Sequence, residues 1–328
     1  MENLLNSGIP FILAFQNLGE WLLAPMKFFS FLGTENFYVL AFPIVYWAVD
    51  AALGLRLGVM ILLSSGVNTI FKFIFHAPRP YWTNTEVKAF SAETSFGLPS
   101  GHAQSAVAVW GTVGTYFRKT WVWVLSLLLI LGISFSRLYL AVHFPVDTAL
   151  GLAIGLALLL LVNRAWEPVA AWARGQSTAR QVAAAFFASL LLLVAGLCVA
   201  WLLRDWELPV AWTQNAVRAG DEALHPLSLS GLITSSATLF GLLAGVAWLE
   251  ARGGFSASGS LTQRVSRYIL GVIGLAVFYI GLKMIFPSGE NFAAYFFRFI
   301  RYALVGFWVS GGAPFIFLKV NLANSPKR

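Results

Sequence analysis

A cation, an imidazole and a carboxylate gather in one short stretch of this chain: Ser136-Arg137, then His143 and Asp147. Two further clusters have the same character, Lys72 with Arg79-Pro80 and Pro99-Ser100-Gly101-His102. An enzyme that attacks a phosphate ester needs fixed donors around the phosphoryl oxygens, a nucleophile in line and an acid for the leaving group. These residues offer candidates for each role. Arg79 and Arg137 carry planar guanidinium forks that suit a phosphate, and Lys72 adds a third positive charge. His143 can attack through one ring nitrogen while the other donates to Asp147, four positions on, which would fix the tautomer. Ser100 is suited to cap a helix whose unpaired first amides form an anion site, and Gly101 lets that backbone approach a ligand. His102, in the first turn, can supply a proton to the departing oxygen.

The elements that must position these residues are membrane helices. The chain has 328 residues, of which 58% are hydrophobic, 15% aromatic and only 11% charged, a balance that excludes an ordinary soluble domain. Apolar runs of roughly 17 to 25 residues recur along it, each long enough to cross a hydrocarbon core. They predict an all-α polytopic bundle of about nine spans: Phe37 to Ala52, Leu57 to Phe75, Gly101 to Phe117, Trp121 to Leu138, Phe144 to Val162, Gln181 to Leu203, Ser228 to Leu249, Tyr268 to Phe286 and Phe297 to Leu318. Ile9 to Leu32 is interrupted by Gln16, Asn17, Glu20 and Lys27 and reads as an interfacial helix. Met1 to Phe15 has no basic residue before its apolar part, so it is read as retained rather than as a cleaved signal. The single cysteine, Cys198, excludes an intrachain disulfide and a cysteine-based metal site.

The basic residues set the orientation. Arg118, Lys119, Arg164, Arg174, Arg180, Arg252, Lys327 and Arg328, among others, fall on one side, which is therefore predicted to be cytoplasmic. An alternating chain then brings all three clusters to the opposite face. Taken singly, Lys72 is an ordinary snorkelling lysine, Pro99-Ser100-Gly101 an ordinary helix start and His143 a buried histidine. Three such accidents sharing one face form a less economical account than a site. The segment Trp166 to Arg180 reads as a cytoplasmic linker, dividing a motif-bearing part, residues 1–165, from a C-terminal transmembrane part, residues 181–328, of unassigned role.

Lys72-x6-Arg79-Pro80, Pro99-Ser100-Gly101-His102 and Ser136-Arg137-x5-His143-x3-Asp147 resemble the three-part signature of the type 2 phosphatidic acid phosphatase superfamily, in order and with no departure at a motif position. The likeness in helical layout covers about Phe37 to Val162 and leaves residues from Gln181 onward unmatched. It implies a metal-independent lipid phosphate phosphatase with a phosphohistidine intermediate. His143 would be the nucleophile, Asp147 its orienting partner and His102 the general acid, with Lys72, Arg79, Arg137 and the backbone near Ser100 and Gly101 holding the phosphoryl oxygens. No cofactor and no metal is implied. The family's soluble haloperoxidase relatives are disfavoured by the number of spans.

The implied partners are a phosphorylated membrane lipid and the bilayer. Nucleic acid is not among them, because the charge of +8 is scattered at span ends. A homo-oligomer is left open, as is the packing role of Gly311-Gly312. Undecaprenyl diphosphate, phosphatidic acid, phosphatidylglycerol phosphate and a sphingoid-base phosphate all fit as substrates, with the site expected on the periplasmic face of a bacterial inner membrane. Two alternatives stand beside the hydrolase: a lipid phosphotransferase using the same intermediate, and a non-catalytic lipid-phosphate transporter or scaffold. Around the clusters, the loop from Tyr81 to Leu98 carries Tyr81, Trp82, Lys88 and Glu93 beside the site; its aromatics read as an interfacial belt, with a headgroup pocket or lid as the second reading, while His76 reads as structural and His225 as outside the site. Lys283, Arg298 and Arg301 read as snorkelling or lipid-contacting cations.

Overall fold

A computed structural model of the chain describes residues 7–220 and 223–326, and among these every regular element is helical, as the sequence predicts. In chain order the helices are α1 (Ile9–Gln16), α2 (Leu23–Phe31), α3 (Glu35–Ile44), α4 (Ala51–Phe75), α5 (Pro80–Thr83), α6 (Gly101–Phe117), α7 (Thr120–Tyr139), α8 (Pro145–Arg174), α9 (Thr178–Leu202), α10 (Val210–Arg218), α11 (Ser230–Glu250), α12 (Leu261–Ala276), α13 (Leu282–Ile285), α14 (Phe292–Phe307) and α15 (Ala313–Lys319). π-Helical stretches at Val45–Val49, Val277–Gly281 and Trp308–Gly312 extend α3, join α12 to α13 and join α14 to α15. The start of the N-terminal stretch, residues 1–6, and the basic pair Lys327 and Arg328 lie outside the described residues.

Among the described residues seven stretches are long and apolar enough to cross a membrane, and the pair Glu20–Phe31 with Glu35–Val49, bent by 53°, is an eighth if it counts as one span. The 17-residue α6 is the remaining expected segment, so nine stands as an approximate count. The stretch predicted as one interfacial helix consists of α1, the 3-10 turn Glu20–Leu22 and α2, and it lies against α7. Phe15 meets the Phe135 ring edge-on at 5.4 Å there. α8 runs unbroken through Trp166 to Arg174, so the expected linker is helical on both sides of a turn at Gly175.

The chain forms two compact units, each assembled from separate segments. The first comprises Met1–Tyr38, Val67–Leu161 and Gly196–Ser228, and it contains all three sequence clusters. In it α4 ends at Phe75, His76 takes a left-handed backbone (φ 34°), and Pro78 follows. A proline biases the residue before it away from the helix, so Arg79 leaves on extended backbone rather than on a further turn. α6 starts where expected, with the Ser100 hydroxyl accepting the Ala103 amide at 3.4 Å. α8 comes close to α6 because it is flat at two positions: a Cβ on Gly151 would lie 2.5 Å from the Ser100 carbonyl oxygen, and one on Gly155 would lie 2.5 Å from that of Gln104.

The second unit comprises Val39–Gly66, Val162–Ala195 and Leu229–Arg328. Its centre is the seam of α11 with α14, where a side chain on Gly241 or Gly306 would collide with backbone of the facing helix. Gly311 packs against Gly245 within the same chain, so its small size serves intrachain helix packing. Fully buried Trp47 donates its indole N–H to the Val309 carbonyl at 2.7 Å. That bond satisfies a carbonyl in a stretch whose π-helical pattern leaves the usual ladder irregular.

Candidate active site

The loop Leu140–Phe144 brings His143 back over the start of α8. Ala141, at φ 58°, makes the reversal, held by Leu140 and Val142 amides that bond back to Ser136 and Arg137 carbonyls at 2.9 and 3.2 Å. His143 is 1% exposed. Its Nδ1 lies 3.3 Å from Asp147 Oδ2, which also accepts the Phe144 amide at 2.9 Å. A carboxylate oxygen can only accept, so Nδ1 carries the proton and Nε2 keeps the lone pair. That lone pair faces Arg79 Nη1 at 3.4 Å. Burial first, then the neighbouring Arg79 and Arg137 charges, holds the imidazole well below its ordinary range. His143 is therefore neutral, with a free electron pair, near pH 7.

Arg79 is fully buried and is held on every side: Nε donates to the Ser95 carbonyl at 2.7 Å, Nη1 to the Val142 carbonyl at 2.9 Å and Nη2 to the Phe96 carbonyl at 3.2 Å. Lys72 Nζ donates to the Ser95 hydroxyl at 2.7 Å. Arg137, 1% exposed at the end of α7, donates to the Glu93 carboxylate and to the Ser30 hydroxyl of α2. Glu93 also lies 3.5 Å from Arg79. Burial acts to raise the Glu93 carboxyl, but the Arg79 and Arg137 charges outweigh it and hold the group well below the usual carboxylate range. Glu93 is thus an anion gripped by the two forks that sequence reasoning assigns to phosphate.

The helix start at Ser100 joins this cluster through backbone. The Ser100 amide donates to the Asp147 carbonyl at 2.9 Å, tying the start of α6 to α8, while its hydroxyl caps α6 itself. The first amides left without an intrahelical acceptor are those of Gly101 and His102. Asn68 braces the turn, donating to Pro99 O at 3.3 Å and to Gln104 Oε1 at 2.9 Å. His102 Nε2 is buried and has no hydrogen-bond partner among the described residues. Its ring is overlaid by Gly33, where a Cβ would come within 2.7 Å of the imidazole.

Lys72, Arg79, Arg137, His143 and Asp147 are accordingly linked in one network, with Ser100 tied to it through backbone. Sequence reasoning missed three members of the network. Ser30 and Ser95 carried no signal beyond their type, and Glu93 was noticed only as a loop residue beside the site. The aromatic belt is a correction: Tyr81 and Trp82 are 1% and 0% exposed. α10 covers them, with the Trp212 ring 6.0 Å from that of Trp82 and tilted 37° to it, and Asn215 donating to the Trp82 carbonyl at 2.9 Å. His76 packs edge-on against Phe96 and Trp206, and the His225 amide bonds the Thr94 carbonyl at 3.3 Å, so both serve the walls of the loop.

Residues 53–171 match the PAP2 superfamily, and residues 233–325 match its phosphatase transmembrane extension. The chain belongs to the PAP2 superfamily. All three clusters fall inside the first PAP2 match, and the second covers most of the part that sequence reasoning left unmatched. Among curated relatives, the chain is 32% identical to a probable sphingosine-1-phosphate phosphatase of Dictyostelium discoideum over 46% of its own length and 41% of that protein. It is 30% identical to sphingosine-1-phosphate phosphatase 2 of Mus musculus over 43% of its length and 41% of the relative. It is 25% identical to glucose-6-phosphatase 3 of Mus musculus over 93% of the chain and 92% of the relative. The chain thus spans less than half of either sphingosine-1-phosphate phosphatase. No solved structure matches this PAP2 chain.

Proposed function

We propose that this chain is an integral membrane phosphatase that hydrolyses a lipid phosphomonoester through a phosphohistidine formed on His143. The observation that carries the reading is the His143 ring, with Nδ1 turned to Asp147 and the Nε2 lone pair turned to the buried Arg79 guanidinium. In the first step Nε2 attacks phosphorus and the P–O bond to the lipid breaks. His102, protonated when substrate is bound, gives its Nε2 proton to the leaving oxygen, which departs as the alcohol. Asp147 stabilises the charge that appears on the imidazole. In the second step neutral His102 takes a proton from water, the oxygen attacks phosphorus, and the P–N bond breaks to return His143 and inorganic phosphate. Lys72, Arg79, Arg137 and the helix start at Ser100 and Gly101, through the free amides of Gly101 and His102, hold the phosphoryl oxygens, and Glu93 gives up the two arginines when the phosphoryl group arrives. No metal enters either step.

Residues 1–165 form the catalytic part and residues 181–328 an accessory membrane part. The site opens on the non-cytoplasmic face, as the distribution of basic residues supports. Among substrates, a sphingoid-base phosphate is favoured by the relatives at 30% and 32% identity. Glucose 6-phosphate is the second reading, favoured by a relative matched over 92% of its length. Phosphatidic acid, phosphatidylglycerol phosphate and undecaprenyl diphosphate complete the panel. Phosphate release by purified protein should rank the lipid monoester first, survive chelation and yield to vanadate. No release from any of them, or release that depends on an added divalent metal, would overturn the proposal.

A further inference from the structure

The second unit contains two cations that no carboxylate among the described residues pairs with. Arg298 and Arg301 lie one turn apart on α14, inside a stretch, Phe292–Lys319, long and apolar enough to span the membrane. Arg301 is 8% exposed, its Nε is buried without a hydrogen-bond partner, and no carboxylate pairs with it among the described residues. Arg298 donates only to the Thr234 hydroxyl of α11, at 3.2 Å. Both guanidinium carbons lie by the Tyr302 ring, at 5.9 and 4.9 Å from its centroid, so one ring neighbours both cations. A quadrupole and one neutral hydroxyl are weak compensation for two cations. In a membrane helix an ionisable group kept in such a place normally serves a ligand or a partner charge. Arg298 alone would be an ordinary snorkelling residue; a largely buried neighbour with an orphaned nitrogen is not.

We propose that Arg298 and Arg301, with Thr234, bind a phosphate group, supplied by the headgroup of an anionic membrane lipid. Two adjacent forks and a hydroxyl match the several acceptor oxygens of a phosphate. The location within a membrane span favours a lipid as its carrier over a free anion. The site lies in the transmembrane extension and is independent of the catalytic reading.

The test uses the full chain in nanodiscs of phosphatidylcholine alone, of phosphatidylcholine with phosphatidylglycerol, or of phosphatidylcholine with inorganic phosphate in the buffer. Native mass spectrometry counts retained lipid and a thermal melt reads stabilisation. Wild type should retain phosphatidylglycerol in preference to phosphatidylcholine, and R298Q/R301Q should lose that preference by roughly tenfold or more, as expected for charge-assisted bonds. If inorganic phosphate alone produces a melting shift that the double variant abolishes, the phosphate site stands and the lipid source is wrong. Equal retention by wild type and variant, or no preference for phosphatidylglycerol, overturns the proposal. Should the double variant melt abnormally in phosphatidylcholine alone, R298Q, at a half-buried position, takes its place. It should lower retention about threefold, and no change would count against the site.

Discussion

Two buried arginine environments in this chain differ in what answers the charge. Arg267, fully buried in the second unit, donates to the carbonyls of Ser256, Ala257, Ser258 and Gln263 at 3.0, 2.8, 3.1 and 3.3 Å, and lies over the Phe255 ring. Arg79 and Arg137 of the first unit are as deeply buried, and although Arg79 also meets the carbonyls of Ser95, Val142 and Phe96, the two share the carboxylate of Glu93, carried on the long loop between α5 and α6. Backbone carbonyls cannot leave without dismantling the fold around them. A carboxylate on a loop can yield to another anion. The first arrangement therefore reads as scaffold, and the second as a seat already shaped for negatively charged oxygens.

The largest effect that would sharpen this contrast is His143→Ala. Phosphate release should fall by at least about 10³-fold while the protein still melts cooperatively, because the nucleophile is lost and the seat is not. Substantial residual turnover would remove His143 from the chemistry. Arg137→Lys should lower kcat/KM by about 10²-fold, since a compact ammonium cannot reproduce the planar fork that donates to two phosphoryl oxygens at once. Glu93→Gln removes a competing anion, so inorganic phosphate should inhibit about tenfold more tightly. A weaker inhibition constant would mean that Glu93 only positions the arginines. Arg267→Met should strand the carbonyls and cost about 3 kcal/mol of stability, read as a lower melting temperature, with the rate per folded molecule unchanged.

The smallest effect is in the acid response. His143 is held neutral in the folded chain, whereas the unfolded chain takes up a proton below the ordinary value of 6.5. Protons thus favour unfolding, and stability should decline as pH drops through 6.5. Glu93, depressed in the folded state, should add a further loss below its ordinary value of 4.5 as pH falls towards its folded value. Melting temperature against pH should show a shallower decline from 6.5 for His143→Asn than for wild type. An unchanged slope would mean that other groups dominate.

The parts of the site legible in the sequence are those fixed by local geometry. His143 and Asp147 are one helical turn apart, and Ser100 precedes an apolar helix, so their relations follow from spacing alone. Glu93, Ser95 and Ser30 reach the site through an irregular loop and a separate helix, and no periodicity encodes that route. The burial of Trp82 was hidden for a related reason. An aromatic residue near a span end looks the same whether lipid or protein covers it, and here the cover is α10, more than a hundred residues later in the chain. Helical class and span number followed from hydropathy, whereas the bend between α2 and α3 depends on a break that hydropathy averages away.

The flatness of α8 at Gly151 gives the catalytic geometry a mechanical dependence. Ser100 bonds the backbone of Asp147, and Asp147 orients His143, so the spacing of two helices sets the pitch of one imidazole. Gly151 works as the shim in that mounting. A single methyl group there would press on the start of α6 and lever it from α8, shifting His102 relative to His143 without touching either imidazole.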